Sequence, residues 1–281
     1  MSAKSSKLRL KKSHKGEAMS NPPTVTRVRH EVRLRHTIVS QVETIAPKMK
    51  RIVVKSDELR GFTSLGFDDH VKLIFPSADG QLNLAPPGAE GTSERIMRDF
   101  TPRRFDADAN ELVIDFVIHD DGPATTWAVN ARVGSVLGVG GPRGSSIVPT
   151  DGIGLHLLIG DETALPAIAR RLEELPATTS ALVVAEVDPD FELPLSSRAN
   201  LQVVWVRRTA ANPAAGELLT AALDALPIMK EGCYAWAATE TQAVRAIRRY
   251  LVDRRGFDKR WVKAAGYWQR GAVGSHVVVD D

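Results

Sequence analysis

Arg98-Asp99-Phe100-Thr101-Pro102-Arg103 brings two cations, an aromatic ring and a hydroxyl together in one hexapeptide. In an extended strand side chains alternate, so Arg98, Phe100 and Pro102 share one face and Thr101 and Arg103 the other. A flavin dinucleotide needs such a set: arginine for the pyrophosphate, an aromatic plane against the isoalloxazine, and a hydroxyl for its reactive edge. The hexapeptide also fits a solvent-edged strand with stray charges. Downstream, His119-Asp120-Asp121-Gly122-Pro123-Ala124-Thr125-Thr126-Trp127-Ala128 opens a short helix. There Gly122 permits close approach, and the amides of Ala124, Thr125 and Thr126 point outward as a phosphate site. Asp120 and Asp121 fit equally as ordinary N-caps. Gly138 to Gly144 is a glycine-dense turn with one cation, Arg143, and lacks the lysine of a phosphate loop. Leu157-Leu158-Ile159-Gly160 ends a strand and Asp161-Glu162-Thr163-Ala164-Leu165-Pro166 begins a helix. That is the first βα crossover, where a nucleotide pyrophosphate lies in doubly wound folds. The segment is not a G-x-G-x-x-G fingerprint, and its two acids read as helix caps before they read as a cofactor loop. Arg207-Arg208 ends a strand where a 2′-phosphate would sit, favouring NADPH, although paired arginines there also serve as plain solvated charges.

The elements that must position these residues fall into two textures. From Arg33 to about Val148, short apolar runs (Ile38 to Val42, Arg51 to Val54, His70 to Phe75, Glu111 to Ile118) are separated by Pro/Gly/Asp/Asn clusters, which predicts an antiparallel β domain. A hairpin is expected from Asp99–Phe105, through a turn at Asp106-Ala107-Asp108-Ala109-Asn110, into the alternating strand Leu112, Ile114, Phe116, Ile118. After Pro149-Thr150-Asp151-Gly152, buried strands at Leu155–Ile159, Ala181–Val187, Leu201–Val206 and Cys233–Ala237 alternate with helices at Ala164–Leu175, Ala214–Leu226 and Thr241–Arg254. The expected architecture is a β-barrel followed by an α/β domain, a doubly wound parallel sheet. Its boundaries are a disordered basic tail over 1–29, the barrel over 30–150 and the α/β domain over 151–281.

Apolar residues make up 43% and charged residues 25% of the 281, which excludes disordered, collagen-like and disulfide-scaffold classes. No membrane span or secretory signal is apparent, so a cytoplasmic location is expected. Cys233 is the single cysteine and the seven histidines are scattered. A cysteine-based zinc or iron–sulfur site would lack ligands, no metal-ligand spacing appears, and redox chemistry must come from a bound cofactor. The net charge of +3 is misleading. Residues 1–22 carry Lys4, Lys7, Arg9, Lys11, Lys12 and Lys15 against Glu17 alone, so the remaining body is slightly acidic. The tail's attraction to nucleic acid would be nonspecific and salt-sensitive. Arg245, Arg248, Arg249, Arg254, Arg255, Lys259 and Arg260 form a basic C-terminal stretch, either a solvated face or a docking surface for an acidic electron donor such as a ferredoxin.

Across nearly all of residues 30–271 the chain resembles the siderophore-interacting proteins, ferric-siderophore reductases of the ferredoxin–NADP reductase superfamily. Five ordered motifs carry the resemblance: Gly66-Phe67-Asp68-Asp69-His70-Val71-Lys72-Leu73-Ile74-Phe75-Pro76, the Arg98–Arg103 hexapeptide, Gly141-Pro142-Arg143-Gly144-Ser145, Gly160-Asp161-Glu162-Thr163-Ala164-Leu165-Pro166-Ala167, and Gly266-Tyr267-Trp268-Gln269-Arg270-Gly271. The resemblance implies an FAD-binding barrel, an NAD(P)H-binding α/β domain, and reduction of siderophore-bound iron(III) so that iron(II) is released. It implies that Arg98, Phe100, Thr101, Arg103, His119 and Ala124 to Trp127 hold FAD, and that Gly160 to Ala164, Trp236 and Glu240 border NADPH or NADH. Lys72 and Arg143 match basic positions near the iron complex. Phe100 stands where many members have tyrosine, which keeps the stacking plane and loses a phenolic hydrogen bond. Two rival readings are a general NAD(P)H–flavin or quinone reductase on the same fold, and a non-catalytic cytoplasmic siderophore-binding protein. The siderophore, the choice among NADPH, NADH and ferredoxin, and the oligomeric state are open at this stage.

Overall fold

The computed structural model describes residues 21–86, 88–89, 95–119, 122–209, 213–271 and 277–278. Residues 1–20 of the basic tail, with the six cations counted above, lie outside the described residues, as do Asp120 and Asp121. The tail was expected to extend to residue 29, but Thr26–Arg29 forms a strand, β1. It pairs antiparallel with β9 (Gly144–Ile147), and the ordered chain begins earlier than composition suggested.

The first half contributes β2 (Leu34–Ala46), β3 (Met49–Lys55), β4 (Val71–Ile74), β5 (Met97–Phe100), β6 (Arg104–Asp106), β7 (Glu111–Val117), α1 (Pro123–Asn130) and β8 (Val136–Gly140). The seven strands form one antiparallel sheet in the order β5-β4-β8-β2-β3-β7-β6. β5 and β6 lie at opposite edges yet are joined by Thr101-Pro102-Arg103 alone. Four Cα steps reach at most roughly 14 Å, so the sheet must curl until its edges approach. The Phe100 ring of β5 accordingly lies 4.5 Å from that of Phe116 on β7. This corner overturns the expected single strand Asp99–Phe105. The chain pairs with β4 before the corner and with β7 after it. The turn after β6 falls where proposed, with Asp106 Oδ1 accepting from the amides of Asp108 and Ala109, both at 3.0 Å. Leu112, Ile114 and Phe116 fill the barrel core.

The second half runs β10 (Leu155–Asp161), α2 (Leu165–Glu174), β11 (Ser180–Val187), β12 (Asn200–Arg207), α3 (Glu217–Asp224), β13 (Cys233–Glu240), α4 (Thr241–Arg249), β14 (Val262–Trp268) and β15 (Val277–Val278). Strand order is β12-β11-β10-β13-β14-β15, parallel except for the last pair. Sheet growth reverses between β10 and β13, so the crevice outside their carboxyl ends is the topological switch point where such folds take ligands. β10 and β13 extend beyond the expected Ile159 and Ala237. Helix α3 begins at Glu217 rather than Ala214, and α4 gives way to a π turn over Tyr250–Arg254. Ala46, Met49, Phe67 and Val148 of the first half share one apolar core with Leu158, Leu165, Ile168 and Trp236 of the second. Among the described residues, no helix is long and apolar enough to cross a membrane.

Candidate functional site

At the first-half side of the site, α1 starts on Gly122, an extended residue (φ −157°) with no side-chain cap, and Pro123 opens the helix. An α-helix leaves its first amides without intrahelical acceptors. The Ala124 and Thr125 amides are therefore available to an anion, whereas Thr126 N donates to Gly122 O at 2.8 Å and is withdrawn from the expected trio. Trp127 on the same turn packs 5.6 Å from Phe75 and 5.6 Å from Phe116, so Phe100 and Trp127 join one half-buried aromatic group. Arg98 and Phe100 pair across β4 with Leu73 and Val71, both fully buried, which places them on the core-facing side. The Arg98 guanidinium donates to the neighbouring Met97 carbonyl at 2.7 Å and meets no carboxylate among the described residues. His119 is exposed just beyond β7. Among the described residues, a helix start with no side-chain cap, an arginine with no carboxylate partner and an aromatic wall fit the pyrophosphate and ring of FAD.

The corner residues behave differently from the sequence expectation, because the second half holds each of them. Thr101 is buried with its hydroxyl hydrogen-bonded to that of Tyr267, whose pKa burial holds well above the ordinary range. The Pro102 carbonyl accepts from Arg170 Nη1 at 3.0 Å, and Arg170 Nη2 also donates to Ser64 O at 2.7 Å. Arg103, assigned to the cofactor from sequence, is instead a buried residue bonded through both terminal nitrogens to Glu173 of α2, with Asp115 at 3.9 Å.

The switch-point crevice departs furthest from the positions implied by resemblance. A Cβ on Gly160 would lie 2.6 Å from Ala238 O and against the Ala164 Cβ, so this glycine serves strand–turn packing. Asp161 Oδ2 accepts from Thr239 Oγ1 (2.6 Å) and Trp268 Nε1 (2.8 Å), while Oδ1 accepts from the amide (2.9 Å) and hydroxyl of Thr163. Glu162 accepts from the Asp188 amide at 2.7 Å and binds Arg208. Ala164 is fully buried. Trp236 is fully buried too, donating from Nε1 to Asp68 Oδ2 at 3.1 Å, with its ring 5.4 Å from Phe67. Glu240 caps α4 by accepting from the Gln242 and Ala243 amides at 2.6 and 3.0 Å. Arg207 donates to the carbonyls of Asp188 (3.1 Å) and Phe191. These side chains fasten strand ends and helix starts. The physical reason is that a carboxylate ending a strand satisfies the orphan amides and the dipole of the next helix at once.

Several organising residues escaped sequence reading. Asp69 Oδ2 accepts from Ser64 Oγ (2.9 Å), Gly66 N (3.0 Å) and Ser145 Oγ (2.5 Å), while Asp68 joins Trp236 to Lys263 Nζ at 2.5 Å. The Gly66–Asp69 motif, which the sequence marked only as part of the family resemblance, is thus a hub between the halves. Lys72 pairs across strands with Asp99 and donates to its Oδ2 at 2.6 Å, while Asp99 Oδ1 is buried without a partner among the described residues. Lys72 also lies opposite Gly140, at the start of the turn that carries the exposed Arg143. Among the described residues no group of three or more His, Cys, Asp or Glu is arranged to hold a metal.

Comparison with known proteins places these features in a wider set. The siderophore-interacting FAD-binding domain matches residues 38–146, and the siderophore-interacting protein family matches residues 154–271. An NADPH-dependent ferric-chelate reductase of Escherichia coli is 36% identical over 266 residues, covering 89% of this chain and 99% of that protein. The ferric vibriobactin reductase of Vibrio cholerae is 32% identical over 256 residues, covering 84% and 92%. The crystal structure of a siderophore utilization protein from T. fusca superposes with a TM-score of 0.80 at 37% identity, covering 90% of this chain and 98% of that one.

Proposed function

The chain belongs to the siderophore-interacting protein family, and from that premise we propose that it is a cytoplasmic FAD-dependent NAD(P)H oxidoreductase that reduces iron(III) in a siderophore complex and releases iron(II). The observation that carries this reading is likeness over 89% of the chain to a ferric-chelate reductase, combined with an α1 start that no side chain caps among the described residues. FAD, when bound, supplies the conversion from a two-electron hydride donor to a one-electron acceptor. Arg98 and the Ala124 and Thr125 amides would meet its phosphates. Phe100 and Trp127 would wall its ring side, with His119 and the Thr126 side chain at the rim. Tyr267 and Arg170 hold the Thr101–Pro102 corner in place. Arg143 and Lys72 would draw an anionic chelate toward this edge, and Asp99 already neutralises Lys72 in part. The exposed Arg245 and Arg249 of α4 would receive an acidic protein donor, should one replace the nicotinamide.

The test is anaerobic and spectrophotometric. Purified protein should bind FAD, bleach on addition of a reduced nicotinamide dinucleotide, and recover its yellow colour with a ferric chelate while iron(II) is trapped. Bleaching by the dinucleotide with recovery by quinone alone would establish the general reductase instead, and a colourless, FAD-indifferent protein would establish a binder.

A further inference from the structure

The chain passes from β8 to β9 through Gly141-Pro142-Arg143, and the backbone of this turn is gripped from both sides. On the β2 side the Gly141 amide donates to Arg33 O at 3.1 Å, and the Gly141 carbonyl accepts from Arg35 Nη1 at 2.9 Å. On the β1 side the His30 amide donates to Arg143 O at 3.0 Å, and β1 pairs along Gly144–Ile147. Ser145 Oγ gives its proton to Asp69 Oδ2 (2.5 Å) and so accepts from His30 Nε2 (2.8 Å). A Cβ on Gly144 would meet Val28 O at 2.5 Å, so β1 lies hard against the exit of the turn. Gly141 and Pro142 are buried, whereas Arg143 is exposed and its side chain forms no ion pair among the described residues. A fixed backbone thus carries a free cation.

Arg35, on β2, is the unusual member of this clamp. It is 5% exposed, yet among the described residues its guanidinium forms no ion pair with a carboxylate. Its Nε donates to Glu58 O at 3.1 Å and its Nη1 to Arg33 O at 3.2 Å as well as to Gly141 O, with the guanidinium 5.4 Å from the centre of the Phe62 ring. A buried charge with no counter-charge is costly, and burial, followed by the charge of Arg33, lowers its pKa accordingly. A neutral side chain could fill the space, but only a planar fork joins the 3-10 turn Asp57–Leu59, the start of β2 and the β8–β9 turn at once. We propose that Arg35 is a positioning residue for Arg143, fixing the β8–β9 turn so that the Arg143 guanidinium stands on the same rim as Lys72 to receive an anionic ferric chelate. Lys72 pairs across strands with Gly140, the residue before the turn. A cation on mobile backbone must be ordered when the chelate binds, whereas one on a clamped turn gives up only its own side-chain freedom. The role rests on the reductase reading, with Arg143 as a chelate contact, and adds the group that holds that contact in place.

Calorimetric titration of the FAD-loaded protein with gallium(III) tris-catecholate, an anionic chelate that takes no electron, reads binding apart from turnover. Arg143→Ala should raise Kd several-fold, the effect of losing an exposed cation. Arg35→Lys, which keeps the charge and loses the fork, and Arg35→Met, which loses both, should each raise Kd several-fold in the otherwise native chain and hardly change it when Arg143→Ala is already present. With iron(III) tris-catecholate the same Arg35 variants should raise KM and leave the bleaching of the flavin by NADPH unchanged. A merely structural role would weaken binding equally in both backgrounds; that result, or Arg35 variants that bind as the native chain does, overturns the proposal. Gly141→Ala disturbs the same turn by another route, since Gly141 has φ +84° and a Cβ there would lie 3.1 Å from Arg143 N. It should reproduce the pattern even if the Arg35 variants do not fold, and native-like binding by it counts against the clamp. If Arg143→Ala itself leaves Kd unchanged, Arg143 is no chelate contact and the reading of that edge fails instead, so the two failures are distinguishable.

Discussion

Acidification from pH 7.5 to 5 should destabilise the fold by about 2 kcal/mol through His156 alone. His156 sits on β10 with no exposed surface, its ring 6.2 Å from that of Tyr234, and neither ring nitrogen has a hydrogen-bond partner among the described residues. Burial, aided by the positive charge of Arg171, depresses its pKa from 6.5 to about 3. The unfolded chain titrates near the ordinary histidine value of about 6.5. Between that value and the folded one, the unfolded state holds the extra proton and stability falls as pH falls, with a limiting slope of about 1.4 kcal/mol per pH unit. The stability is fully present above the unfolded pKa and is lost progressively toward the folded one. The pH 5 point lies about 1.5 units into that window, which yields the ~2 kcal/mol loss. Urea unfolding of the wild type and His156→Leu at both pH values measures it. The leucine is apolar, fills similar space and abandons no hydrogen bond seen in the structure, so the variant should lose about 2 kcal/mol less than the wild type over the same interval. Glu174 and Glu186, both raised by burial, act with opposite sign in both proteins and cancel in the difference. Equal losses in the two proteins would refute a neutral, buried His156.

Three further outcomes follow from the site geometry. Arg98→Ala should reduce FAD retention after dialysis by tenfold or more, since a charge-assisted contact to phosphate contributes about 1.5–3 kcal/mol; undiminished flavin content would remove Arg98 from the cofactor site. Asp99→Asn should free Lys72 and lower KM for an anionic ferric chelate several-fold at low salt, a gain of about 1 kcal/mol for a half-exposed cation; the gain should vanish for a neutral chelate in steady-state assays. Glu173→Gln takes the counter-charge from buried Arg103 and should cost about 1–3 kcal/mol in thermal unfolding while loosening the Thr101–Pro102 corner; an unchanged melting temperature would mean the α2 contact does not hold that corner.

Sequence pattern alone determined most of the elements and their order, because strand alternation, helix periodicity and turn chemistry act over a few residues; β1, the β5–β6 break, β14 and β15 were not among them. The β7 strand, the Asp106–Asn110 turn, the helix after Gly122 and the alternating strands and helices beyond Asp151 were all legible in this way. The five motifs, taken together, were enough to identify the family. The roles of individual polar residues were not legible, because they depend on partners far away in the chain. Arg103 finds Glu173 seventy residues on, and Trp236 finds Asp68 across 168; no local pattern encodes either distance. The break at Thr101 arises because a curled sheet brings β5 beside β6, a closure that belongs to the sheet as a whole. Asp161 reads from sequence as a helix cap before a ligand contact, while the resemblance puts both Asp161 and Glu240 beside the nicotinamide nucleotide. Only the tertiary structure decided between these, by placing the Thr163, Gln242 and Ala243 amides within their reach and so satisfying each carboxylate inside the protein.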